Sequence, residues 1–77
     1  MKILVGDIVE LLPNTNRHRQ LRAQDGKYDW KVLKIDPDTI CFNGSEGIFI
    51  ESCIDRMHTR WVKRDDIEVK EFVENTR

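Results

Sequence analysis

The stretch VGDIVEL at residues 5–11 predicts the first strand of the chain. Alternation along this stretch places Val5, Val9 and Leu11 on one face of the strand. Pro13 ends the strand, because proline cannot donate a backbone hydrogen bond to a neighbouring strand. The pattern favours a sheet that buries one apolar face.

A long basic segment follows this strand. Residues 14–26, NTNRHRQLRAQDG, contain one large apolar side chain, Leu21. Asn16 is a candidate helix cap and Gly26 a candidate stop. We therefore expect a long basic loop with room for a short helical turn.

Alternation returns at residues 28–35, where Tyr28, Trp30 and Val32 face one way in a second predicted strand. The sequence Asp36-Pro37-Asp38 then predicts a turn, because proline and aspartate favour turn conformations. Trp30 is assigned to the core.

The next pattern is that of a hairpin. Residues 39–43 and 48–51 flank the sequence GSEG. With residues 45–47 as a three-residue loop, Phe42 lies opposite Ile50 and the two side chains share the inner face. A slip of one residue would mix inner and outer side chains, so this register is preferred.

The chain closes with RWVKRDDIEV at residues 60–69, which predicts a short strand, a tight turn and a final strand. The fold class predicted from the whole pattern is all-β: a small five-stranded barrel with a long basic loop after strand 1, since barrel closure removes exposed sheet edges. The predicted interior includes Val9, Leu11, Trp30, Val32, Ile40, Phe42, Ile50 and Ile67.

Two of these stretches carry a family resemblance. VGDIVEL resembles the Gly-Asp-x-Val-x-Leu first strand of bacterial and phage Src-homology-3-like barrels, including chromatin-reader-like and ribosome-associated versions. RWVKRDDIEV is similar to their closing pattern of an aromatic strand, one helical turn and an Asp-aliphatic-acidic step. The resemblance covers residues 3–69 and implies the barrel fold. The first loop of peptide-binding eukaryotic relatives is typically acidic and aromatic, whereas here it is basic, so proline-rich peptides are not expected as ligands.

Length and composition set further bounds. Residues 1–70 are predicted as one domain and residues 71–77 as a frayed C-terminal tail. No apolar run approaches the roughly 18 residues of a membrane span, and the first residues lack the pattern of a signal peptide. These features predict a cytoplasmic protein with no membrane partner. Cys41 and Cys53 are too few for a disulfide framework and lack zinc-ligand spacing, so we expect both to be reduced and metal-free.

The net charge is −1, with 13 basic and 14 acidic side chains arranged in blocks. Residues 14–34 carry six basic and two acidic side chains, and residues 56–64 carry four basic and no acidic ones. Residues 35–55 between them carry five acidic and no basic ones. If folding brings the two basic blocks together, they form a positive patch.

This patch supplies most of the candidate binding residues. Arginine can hold phosphate or carboxylate with two parallel hydrogen bonds, and an exposed tryptophan can stack on a base or anchor a protein contact. The alternative is that Trp61 is a core residue and the arginines only keep the domain soluble. The candidates, to which an outward-facing phenylalanine is added, are Arg17, Arg19, Arg22, Phe49, Arg60, Trp61, Lys63 and Arg64.

The sequence contains no recognisable arrangement of nucleophile, base or metal ligands, and His18 and His58 lie far apart without a neighbouring nucleophile pattern. We therefore expect no enzymatic activity and no cofactor. The leading interpretation is a protein-binding module, an accessory or regulatory protein of bacterial or phage origin that docks on a larger protein. The alternative is a nucleic-acid-binding barrel, although a dedicated nucleic-acid binder is usually basic overall.

Overall fold

The computed structural model describes residues 3–73, with the exception of the Cys41 side chain. One helix and five strands form its regular structure: β1 (Ile8–Leu11), α1 (Asn16–Ala23), β2 (Asp29–Thr39), β3 (Ser45–Ser52), β4 (Thr59–Val62) and β5 (Ile67–Glu71). Two short 3₁₀ turns, Ile40–Phe42 and Arg64–Asp66, connect strands.

The strands form one antiparallel sheet in the order β4-β3-β2-β1-β5, and this sheet is not closed. The chain is therefore mostly β, as predicted. A flat sheet of five strands would hold its edges about 19 Å apart, at about 4.8 Å per strand spacing. The two edge strands β4 and β5 are nevertheless joined by the single turn Arg64–Asp66. The sheet must therefore curl until its edges approach one another.

The concave side of this curled sheet, here called the inner face, contains the core. Six of the residues predicted as interior are buried there, which confirms their assignment: Val9, Leu11, Trp30, Val32, Ile50 and Ile67. Leu21 of α1 is fully buried in the same cluster. The helix therefore covers part of the inner face.

The turn predicted at residues 36–38 does not form, because β2 runs through it. The pairing steps from Asp36 opposite Gly47 to Thr39 opposite Ser45, so that two residues of β2 oppose one of β3. Such a bulge leaves its extra residue outside the hydrogen-bond ladder, which is where a strand tolerates proline.

The strand predicted after this point is also wrong. The 3₁₀ turn Ile40–Phe42 takes its place, and Asn43 (φ 55°) and Gly44 (φ 82°) reverse the chain in the left-handed region. Asn-Gly is a strong hairpin-turn signal, since both residues adopt positive φ readily. The predicted interior placement of Ile40 and Phe42 fails with it: Ile40 is 95% exposed and Phe42 is half-buried.

The register of the hairpin changes accordingly. Ile50 pairs with Val32 rather than with Phe42. Gly47, predicted as a loop residue, lies inside β3. A Cβ atom at Gly47 would stand 2.5 Å from Thr39 Cγ2 and 3.0 Å from Trp61 Cε3, so close packing explains this glycine.

The beginning and the end of the described chain meet at Asp7, whose carboxylate is completely buried. Its Oδ2 accepts from the Leu4 N–H at 2.9 Å, and its Oδ1 accepts from the Val73 N–H at 2.8 Å. Glu71, the first residue of the predicted tail, pairs with Ile8 in the sheet. The sheet thus continues past the boundary predicted at residue 70, whereas residues 74–77 lie outside the described residues.

The chain turns at Gly6 (φ 99°), so β1 begins only at Ile8 and Val5 is 55% exposed rather than facing inward with Val9. Across residues 3–73, no helix is both long and apolar enough to cross a membrane.

Candidate functional site

The predicted basic loop contains a two-turn helix, α1. Thr15, not Asn16, caps it, and the Thr15 hydroxyl accepts from the His18 N–H at 3.1 Å. His18 is 3% exposed and Leu21 fully buried, and residues three apart share one face of a helix. This face packs on the sheet. Only Leu21 could be recognised from sequence as an anchor, because the second anchor is a polar side chain.

His18 belongs to a hydrogen-bond chain that joins α1 to the second 3₁₀ turn. Its Nδ1 lies 2.8 Å from Asn14 Oδ1, and Asn14 Nδ2 donates to Asp66 Oδ1 at 2.6 Å. The other Asp66 oxygen accepts from the Lys63 N–H at 2.9 Å. Since the amide oxygen of Asn14 faces the ring, His18 carries a proton on Nδ1.

Arg60 lies close enough to this helix for its charge to act on His18. It lies on β4 opposite Ile50, a fully buried residue, so its side chain starts on the inner face. The Arg60 Nε is buried and has no hydrogen-bond partner among residues 3–73. Burial and the nearby positive charge of Arg17 lower the pKa of Arg60, whereas Asp66 raises it. The structure thus brings together residues of both basic blocks: Arg17 and His18 of α1 and Arg60 of β4, here called the basic cluster.

Burial also lowers the pKa of His18, and the charge of Arg60 lowers it further, against an opposing effect of Asp66. The ring is therefore neutral at pH 7. As a result, the positive charge of the basic cluster comes from its two arginines.

Three other candidate arginines have partners within the chain. Arg22 donates from Nη1 to Glu10 Oε2 at 2.7 Å. Arg64 holds Glu46 with two bonds, from Nε at 3.0 Å and from Nη2 at 3.1 Å. Arg19 donates to oxygens just before and at the start of its own helix. The two ion pairs reduce the positive charge that the predicted patch presents to a partner, whereas the neutral oxygens bound by Arg19 leave its charge in place.

Trp61 and Phe49 lie on the opposite, outer face of the sheet. They are directly paired across β3 and β4, and their ring centroids are 5.0 Å apart at an interplanar angle of 39°. Both side chains are half-buried, and Lys34 of β2 pairs with Phe49 on its other side. Trp61 is therefore not part of the core on the inner face.

Phe42 extends this outer surface. The Lys63 Nζ lies 5.4 Å from the centroid of the Phe42 ring, a cation–π distance. Lys63 has an extended backbone directly after β4, so its side chain alternates back to the side of Trp61. We call this surface, formed by Phe42, Phe49, Trp61, Lys34 and Lys63, the aromatic face.

A second exposed apolar site, which sequence reasoning missed, lies in the loop between β3 and β4. Ile54 is 68% exposed and Met57 is 92% exposed. The Ser52 hydroxyl accepts from the Ile54 N–H at 3.2 Å, and the Asp55 carboxylate accepts from the Met57 N–H at 3.1 Å. The available signal was the presence of large apolar residues in a stretch without strand periodicity.

The described residues contain no group of three or more histidine, cysteine or acidic side chains placed to hold a metal ion. Cys53 is exposed overall, but partial burial of its thiol, together with the charges of Asp29 and Glu51, raises the thiol pKa. Its metal-free, reduced state stays a prediction, and the Cys41 side chain lies outside the described residues.

Comparisons of the chain with protein-family models, with curated proteins and with solved structures find no match. Function is therefore inferred from the surfaces themselves.

Proposed function

We propose that this chain is a Src-homology-3-like barrel that acts as a non-enzymatic protein-binding module, and that it contacts its partner through the aromatic face. The curled five-stranded sheet supports the fold proposal, as does the order of aromatic strand, 3₁₀ turn and final strand at residues 59–71. The fold does not decide the function, since related barrels serve unrelated ones.

The observation that carries the binding proposal is the Phe49–Trp61 pair on the outer face. Aromatic side chains that are only partly covered provide large, rigid contact area, and they are enriched where proteins bind one another. Ile40, 95% exposed, follows directly on Thr39, and Thr39 packs near Gly47 beneath Trp61. The 3₁₀ turn Ile40–Phe42 thus contains both the exposed Ile40 and Phe42 of the aromatic face.

Charge favours a protein over a nucleic acid as the partner of this face. Lys34 and Lys63 lie beside the rings, but Asp36 and Glu51 occupy neighbouring outward positions on β2 and β3. A surface of mixed charge does not provide the continuous positive groove that follows a nucleic-acid backbone.

The test uses two equally simple surface substitutions at opposite ends of β3. Because both Ile40 and Met57 are more than nine-tenths exposed, Ile40→Asp and Met57→Asp should leave the melting temperature unchanged. We expect Ile40→Asp to reduce capture of the partner from host lysate about tenfold, because the new charge would have to lose its water in the interface. Met57→Asp should leave capture unchanged, because Met57 lies outside the proposed interface.

Nuclease treatment of the lysate should leave capture intact if the partner is a protein. Loss of capture on nuclease treatment would support the nucleic-acid alternative instead. If Met57→Asp abolishes capture and Ile40→Asp does not, the contact surface is the loop between β3 and β4, and the aromatic face is wrongly assigned.

A further inference from the structure

Two exposed lysines border the rings of the aromatic face. Lys34 lies directly opposite Phe49 in the pairing of β2 with β3, and the Lys63 Nζ lies 5.4 Å from the centroid of the Phe42 ring. Neither lysine forms an ion pair within residues 3–73. Two cations that a partner can reach therefore lie at the border of an apolar centre.

Two acidic side chains share the outer face with these rings, but they do not cancel the lysines. Glu51 lies directly opposite Lys31 in the sheet, so the charges of these two residues balance one another. Asp36 is half-buried, and its Oδ1 accepts from the Asp38 N–H at 3.0 Å. Asp36 keeps its charge, but it is one anion beside two lysines. The aromatic face is therefore locally positive, although the whole chain has a net charge of −1.

We infer that the aromatic face binds an acidic, apolar segment of its partner, in which carboxylates flank a leucine or an aromatic side chain. This inference rests on the proposed function, because it names the partner chemistry of the same surface. The apolar side chain covers the Phe49–Trp61 pair, and the carboxylates meet Lys34 and Lys63. A basic segment is disfavoured, since it would bring like charges together.

The test selects peptides without assuming their sequence. A phage-displayed library of random peptides is panned against the wild-type protein and against a variant that combines Lys34→Glu with Lys63→Glu. We expect the wild type to enrich aspartate and glutamate beside leucine and aromatic residues, and the charge-reversed variant to enrich lysine and arginine instead. Amide chemical shifts of the ¹⁵N-labelled wild type then locate the bound peptide, which should perturb Phe49 and Trp61.

Charge removal measures the contribution of the two lysines. The selected acidic peptide should bind about tenfold more weakly to the variant that combines Lys34→Gln with Lys63→Gln, and added salt should weaken its binding to the wild type. The matched control combines Lys31→Gln with Arg56→Gln, which removes two exposed cations outside the aromatic face and should leave the affinity unchanged. Because all four side chains are exposed, neither variant should change the melting temperature.

The outcomes separate this inference from the proposed function. Peptides that bind the aromatic face without enrichment of acidic residues, or that lose equal affinity in the two glutamine variants, would overturn the inference and leave the proposed function standing. Peptides that perturb only residues 53–58 would overturn both. A concentration-dependent dimer of the free protein that is lost in Ile40→Asp would make the occupant a second copy of the chain, contrary to the inference. Failure to select any peptide would overturn it as well.

Discussion

Arg60 and Trp61 are consecutive residues of β4, yet their side chains lie in different parts of the molecule. Arg60 starts on the inner face, where its charge acts on His18 of α1, whereas Trp61 packs against Phe49 on the outer face. Successive side chains of a strand point to opposite faces of its sheet. An aromatic and a basic residue that are adjacent in a strand therefore belong to two surfaces, and the single patch predicted from the charge blocks is divided.

The two surfaces also differ in what holds them in place. The basic cluster depends on α1, which is fixed by Leu21 in the core and by the chain His18–Asn14–Asp66. The aromatic face depends on cross-strand pairing within the sheet itself. A change that loosens α1 should therefore disturb the first surface and spare the second.

The largest expected effect follows from this difference. Leu21→Ala should lower the free energy of unfolding by about 2–5 kcal/mol, because it leaves a cavity where the helix meets the core. Phe42→Ala should cost about 1 kcal/mol or less, since Phe42 is half-buried outside the core. Urea unfolding measures both values.

The backbone amide spectrum of Leu21→Ala sharpens the comparison. Resonances of residues 14–23 should shift or broaden, whereas those of Phe49 and Trp61 should stay near their wild-type positions. If Phe42→Ala is the more damaging of the two, Phe42 belongs to the core after all and the hairpin register is wrong.

A smaller effect on the free energy of unfolding is expected from protonation of His18 as the pH falls. Because burial and Arg60 lower the pKa of His18, the unfolded chain binds a proton at higher pH than the folded one does. Histidine in an unfolded chain has a pKa of about 6.5. Above this pH, His18 does not reduce the free energy of unfolding. The free energy of unfolding decreases as the pH falls below about 6.5, toward the lowered pKa of the folded state.

Comparing wild type with His18→Gln by urea unfolding between pH 7.5 and about 5 isolates this contribution, since carboxylates titrate mainly below this range. We expect the wild type to lose stability relative to the variant as the pH falls. A difference that is constant with pH would show that the His18 ring titrates as in the unfolded chain, contrary to its burial at the base of α1.

The sequence was sufficient for the parts of the fold that follow local rules. Alternation identified the inward positions of Val9, Leu11 and Trp30, all of which are fully buried. The hairpin failed because GSEG was preferred as the turn, although Asn43-Gly44 offered the stronger signal. The proline in β2 reinforced the error, since a bulge that accommodates proline cannot be recognised without the partner strand.

The site was less predictable for a physical reason: its contacts join distant residues. Arg22 pairs with Glu10 and Arg64 with Glu46. Neither pair has the spacing of neighbours on a helix or a strand, so the sequence alone does not predict these contacts. Composition predicted that Arg17 and Arg60 belong to basic blocks, but only the fold places their charges together.

The smallest expected effect on the free energy of unfolding concerns Arg64. Its guanidinium binds Glu46, and we assign it to neither surface. The two side chains are 42% and 35% exposed, so solvent and salt screen their attraction. Arg64→Gln should therefore cost about 0.5 kcal/mol, and less in high salt. If the aromatic face is independent of this pair, Arg64→Gln should retain partner capture. A loss of capture as large as that of Ile40→Asp would show that Arg64 leaves Glu46 to bind the partner, and the aromatic face would then have to include it.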